Sequence, residues 1–135
     1  MIDCNGIKPK AEDYQEVFST KIPVRDDETG NFLTRDEVVE IIQKELGGKS
    51  FVTTPVGCID ILTDTDIIEL RHVNEWQEQL GKILACEYYY PFHRKSVLFF
   101  GECHPTFLET VKNVYSRYGV SFDRLEDIGR KMKNS

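Results

Sequence analysis

Asp60-Ile61-Leu62-Thr63-Asp64-Thr65-Asp66-Ile67-Ile68-Glu69-Leu70-Arg71 alternates apolar and polar residues on either side of a tight polar turn. That period of two predicts a pair of antiparallel strands. With the turn centred on Asp64-Thr65, Asp60 falls directly across from Glu69. Like charges facing each other across a ladder are destabilising, so the pairing needs a reason. A divalent cation bridging both carboxylates would supply one. Arg71, two residues beyond Glu69, projects from the same face. Ile59, Ile61, Ile68 and Leu70 make the opposite, apolar face. The apolar face is expected against a core and the charged one in a cleft.

Upstream, Thr34-Arg35-Asp36-Glu37 is a capping box and opens a helix through Val38, Ile41, Ile42 and Leu46 that stops at Gly47-Gly48. Ser50 to Thr54 is rich in strand formers, with a turn at Pro55-Val56-Gly57. Ile22-Pro23-Val24 and Asn31-Phe32-Leu33 flank the turn-rich Asp26-Asp27-Glu28-Thr29-Gly30 and predict a small N-terminal hairpin, after a short helix over Glu12 to Ser19. Downstream, Asn74 with Gln77 predicts a capped second helix carrying Trp76, Leu80, Ile83 and Leu84 inward and ending near Tyr88-Tyr89-Tyr90-Pro91. Ser96 to Phe100 reads as a strand buried on both faces and parallel to its neighbour, reached by a right-handed crossover. Pro105 opens a third helix with Phe107, Leu108, Val111, Val114, Tyr115 and Tyr118 inward and Gly119 at its end. Asp123-Arg124-Leu125-Glu126 reads as a further helix start.

An Asp, a short spacer and Glu-x-Arg on adjacent strands, followed by Trp76 and Leu80-Gly81-Lys82, resemble the PD-(D/E)XK, or restriction-endonuclease-like, nuclease superfamily from about Thr34 to Gly101. The departure is Arg71, where that family usually carries Lys. The resemblance implies an α/β fold with an α-β-β-β-α-β core, a mixed central sheet flanked by helices. Residues 1–135 then form one domain: an extension with a small hairpin over 1–33, the core over 34–101 and C-terminal helices over 102–135.

The same resemblance implies a Mg²⁺- or Mn²⁺-dependent nuclease hydrolysing phosphodiester bonds, in DNA ahead of RNA. Asp60 and Glu69 would ligate the metal with hard oxygens, joined by the main-chain carbonyl of Leu70. Arg71 would steady developing charge but cannot act as a base, because a guanidinium keeps its proton near neutral pH. Lys82 would supply the essential cation from the second helix, and Glu40, or failing that Glu37, a third acid from the first. His72 and Trp76 are expected to be structural, and Tyr88, Tyr89 and Tyr90 to pack the helix end or stack on unpaired bases.

A chain of 135 residues, 40% of them hydrophobic, suits one core. No apolar run approaches membrane-spanning length and the N-terminus lacks a signal-peptide layout, so a soluble, intracellular protein of cytoplasm or nucleus is expected. Cys4, Cys58, Cys86 and Cys103 have no CxxC spacing, and reduced thiols are expected in place of a zinc site or disulfides. Net charge is −6 but uneven: residues 1–91 carry 9 Lys/Arg against 18 Asp/Glu, and residues 92–135 carry 8 against 5. Arg94-Lys95, Lys112, Arg117, Arg124 and Arg130-Lys131-Met132-Lys133 are therefore candidate phosphate contacts. A homodimer would widen the surface offered to a duplex. The second reading is a catalytically degenerate domain of the same fold that binds nucleic acid or a protein partner, and the third an acidic interaction domain.

Overall fold

The computed structural model describes residues 21–26 and 29–125. The expected helix over Glu12 to Ser19, the turn residues Asp27 and Glu28, Cys4, and the basic run at 130–133 lie outside them. Strands β1 (Lys21–Arg25) and β2 (Phe32–Thr34) pair antiparallel as the expected hairpin. Helix α1 (Arg35–Leu46) follows at once. Its start is the expected capping box: Thr34 Oγ1 accepts from the Glu37 amide at 3.2 Å, and the Glu37 carboxylate accepts from the Thr34 amide at 3.0 Å.

Next come β3 (Lys49–Thr54), β4 (Gly57–Leu62) and β5 (Asp66–His72), then a 3₁₀ turn (Val73–Glu75) and α2 (Trp76–Glu87). Strand β6 (Arg94–Phe100), helix α3 (Pro105–Arg117) and β7 (Val120–Arg124) complete the described chain. The five strands form one sheet in the order β3-β4-β5-β6-β7, antiparallel from β3 to β5 and parallel from β5 to β7. The expected order of helix, three strands, helix and strand is present between Arg35 and Phe100.

One face of the sheet carries Ile61, Ile68, Leu70, Leu98 and Phe100 against Val38, Val39 and Ile42 of α1 and Ile22 and Leu33 of the hairpin. The other carries Ile67, Val97 and Phe99 against Leu80, Ile83 and Cys86 of α2 and Val111 and Tyr115 of α3. Strand β6 is buried on both sides because helices cover both faces, as its unbroken apolar run requires.

Several expectations are corrected. Ile41 and Leu46 are 45% and 54% exposed, because the buried stripe of α1 runs through Arg35, Val38, Val39 and Ile42 instead. Tyr118 lies in the turn after α3 and is 54% exposed. The second helix is not capped by Asn74: His72 Nδ1 accepts from the Asn74 amide at 3.1 Å and caps the 3₁₀ turn, so α2 starts at Trp76. The C-terminal segment is not all helical, since β7 adds a parallel edge strand beside β6 before a helical residue at Leu125.

Candidate functional site

The hairpin register is as expected at its tip, where Ile61 pairs Ile68 and Leu62 pairs Ile67. Continued by one residue it would set Asp60 against Glu69, but there side chains replace the ladder. Glu69 Oε2 accepts from the Asp60 amide at 2.9 Å, and Asp60 Oδ2 accepts from the Leu70 amide at 2.8 Å. Strict alternation fails at the same place: Ile59 packs with the α2 side of the core and Ile61 with the α1 side. On the other neighbour, Phe51 is the residue of β3 skipped by the pairing, with φ +55°, a conformation bulky side chains rarely adopt. Both flanking strands thus yield at the level of Asp60.

The carboxylates do not line an open cleft. Asp60 is 2% exposed and Glu69 fully buried, so each must be paired with a cation or lose its charge. Arg35, the first residue of α1, reaches across with Nη1 to Asp60 Oδ2 at 2.9 Å and to the Leu70 carbonyl at 3.1 Å. Arg71 Nη1 donates to the same two oxygens at 3.0 and 2.8 Å. Lys82 Nζ lies 2.8 Å from Glu69 Oε1. Arg35 also sits 3.3 Å from Asp36.

These contacts set the electrostatics. Burial pushes the Asp60 carboxyl up, but Arg71, Arg35 and Lys82 outweigh it and hold the group below the usual carboxylate range. Glu69 goes the other way: burial, then the charge of Asp60, pushes it up to about 7 against the pull of Lys82 and Arg71. Asp36 is raised by its partial burial. The Cys86 thiol is pushed up to about 11 by burial, which leaves it an inert core group.

Four of the five expected catalytic residues therefore meet: Asp60, Glu69, Arg71 and Lys82. Glu40 does not join them and stands exposed on α1. The oxygens expected to hold Mg²⁺ or Mn²⁺, on Asp60, Glu69 and the Leu70 carbonyl, are instead covered by Arg35, Arg71 and Lys82. Among the described residues no three His, Cys, Asp or Glu side chains converge as a metal group. The metal-binding expectation is corrected accordingly.

Two buried polar residues escaped the sequence reading. Arg35 carried a signal: a cation at a helix N-terminus opposes the helix dipole and calls for a carboxylate partner elsewhere. Gln79 carried none. It is 2% exposed, and neither atom of its amide has a hydrogen-bond partner among the described residues. It lies one turn before Lys82 on α2.

Of the expected basic contacts, Arg94 pairs with Asp66 through Nε at 3.0 Å and Nη2 at 2.9 Å, and Lys95 with Glu87 at 2.8 Å. Arg124 turns inward to the Gly101 carbonyl at 2.6 Å. Lys112 and Arg117 stand exposed on the outer face of α3 beside Asn113 and Ser116.

Relatives of this chain occur in Acanthamoeba polyphaga mimivirus. Putative KilA-N domain-containing protein L32 is 34% identical over 80 residues, 59% of this chain and 22% of the relative. L33, of the same description, is 31% identical over 84 residues, 62% of this chain and 34% of the relative. R878 is 27% identical over 92 residues, covering 65% and 26%. The matched part of the chain thus spans about a third of one relative and about a quarter of the other two. No family model matches the sequence, and no solved structure matches it.

The nuclease-superfamily resemblance is overturned by these relatives, which are described by a KilA-N domain and not as nucleases. With it fall the assignment as a Mg²⁺- or Mn²⁺-dependent nuclease and the label of hydrolase. The mixed α/β sheet with the three helices of the described residues stands without the restriction-endonuclease name.

Proposed function

We propose that this chain is a non-catalytic nucleic-acid-binding domain, with DNA ahead of RNA as its ligand. The observation that carries the non-catalytic half is the double guanidinium cover on Asp60 Oδ2 and the Leu70 carbonyl. A guanidinium keeps its charge across the whole working pH range, so an incoming cation would have to displace two fixed positive charges. The arrangement suits a structural knot tying α1, β4, β5 and α2 together. The nucleic-acid half is supported by the KilA-N relatives, whose domain name suggests DNA binding.

The contact surface in this reading is the outer face of α3, where Lys112 and Arg117 supply charge and Asn113 and Ser116 supply hydrogen-bonding groups. Such cations neutralise backbone phosphates and release counterions, which makes binding salt-dependent. The reading treats residues 1–135 as one domain acting in cytoplasm or nucleus, and two copies side by side would give a duplex more surface. No helix among the described residues is long and apolar enough to cross a membrane.

The test is a fluorescence-anisotropy titration of labelled duplex DNA, in EDTA, with wild type and Lys112→Ala/Arg117→Ala. Wild type is expected to bind, and the double variant to weaken binding and flatten the salt dependence by about two phosphate contacts. Absence of wild-type binding at about 50 mM salt, where phosphate contacts are strongest, contradicts the reading.

A further inference from the structure

The loop between α2 and β6 holds the two most exposed aromatic side chains among the described residues, Phe92 at 97% and Tyr88 at 81%, with Tyr89 beside them at 41%. Single exposed apolar residues are ordinary. Three within five positions of a pinned loop are not. The Tyr88 amide bonds the Ala85 carbonyl at 3.2 Å, the Tyr89 amide the Cys86 carbonyl at 3.0 Å, and the His93 amide the Tyr90 carbonyl at 3.2 Å. His93 Nε2 donates to the Thr63 carbonyl at 2.9 Å, the Arg94 amide donates to the Thr65 carbonyl at 2.8 Å, and the Arg94 guanidinium grips Asp66 at two points. The backbone is fixed while the rings project into solvent.

We propose that Tyr88, Tyr89 and Phe92 form a stacking platform for the bases of single-stranded nucleic acid, with Arg94 as its phosphate contact. This rests on the nucleic-acid reading above and narrows it to unpaired strands at this loop. Every base has a stacking face, so aromatic rings beside a cation hold single strands with little sequence preference. Tyr88 and Tyr89 lie edge to face with centroids 5.1 Å apart, leaving the outer ring free to receive a base. Arg94 has a 76% exposed side chain, and its Nη1, which is not used in the Nε and Nη2 bonds to Asp66, can meet a phosphate while that pair keeps the loop in place. A duplex keeps its base faces covered by neighbours and gains nothing from the rings.

The experiment measures anisotropy with labelled oligothymidylate and with a duplex of equal length, for wild type, Tyr88→Ala, Phe92→Ala and Arg94→Ala. Each aromatic variant is expected to bind the single strand about tenfold more weakly, with duplex affinity within about twofold of wild type. Tyr88 and Phe92 belong to neither core cluster of the described residues, so the melting curves of their variants should coincide with wild type and keep misfolding out of the result. Single-strand binding unchanged in both aromatic variants overturns the proposal. So does wild-type binding of duplex alone, which leaves the general reading standing, and binding of neither overturns both. Self-association of wild type, lost in Phe92→Ala without any change in single-strand binding, would overturn it in favour of a second copy of the chain.

Discussion

Glu69 has no exposed surface and carries its proton up to about 7, against an ordinary value of 4.5. The folded state therefore holds a proton over a range where the unfolded chain has released it. Its contribution is fullest below the ordinary value and is lost as the pH rises toward 7. Glu69→Gln removes that slope. Its melting midpoint, measured relative to wild type, should rise by several degrees between about pH 5 and pH 8. A constant difference across that range would show that Glu69 is ionised throughout. Asp60 has the opposite sign, since its cations hold it below the usual range, and its contribution fades only in acid. Arg35→Ala removes one of the two guanidinium groups on the buried Asp60 carboxylate and leaves Arg71 alone there, so it should cost about 2 kcal/mol in urea unfolding. Gln79 is the reverse case: its amide lacks partners among the described residues, and Gln79→Met should raise the melting midpoint by a few degrees if the amide has only a desolvation cost.

Elements were legible wherever the residues forming them also terminate them. The Thr34-Arg35-Asp36-Glu37 box, the Gly47 end of α1 and Pro105 at the start of α3 are local signals, and each stands where expected. Strand β7 was not legible, because Val120-Ser121-Phe122-Asp123-Arg124 is buried only at Val120, alternates between exposed and half-buried positions after it, and takes its place from pairing with β6. The site was legible in part. The hairpin pattern brought out Asp60, Glu69 and Arg71, whereas their burial depends on α1 and α2 crossing above and below them. A stretch of twelve residues cannot record how deeply other elements cover it. Gly48 shows the same dependence on distant chain: at φ +80° its missing Cβ would sit 2.3 Å from the Leu62 carbonyl oxygen and 2.8 Å from the Thr63 Cα. Gly48→Ala should destabilise the fold by about 2 kcal/mol or more through both strain and clash, measured by denaturant unfolding. A neutral result would mean that the α1-to-β3 turn is free to move.

At the scale of the molecule, a chain with net charge −6 is proposed to meet a polyanion through limited patches, the outer face of α3 and the aromatic loop. Such binding should be modest and steeply weakened by salt, since the remaining surface repels the ligand. The two guanidinium groups over Asp60 and the Leu70 carbonyl make it independent of divalent metal in this account. The decisive measurement is equilibrium binding to labelled DNA in EDTA and again in Mn²⁺, with each sample then run on a denaturing gel. Equal affinity in both buffers with intact DNA is the predicted result. Affinity that appears only with Mn²⁺, or DNA cut by wild type and left whole by Asp60→Ala, would contradict it.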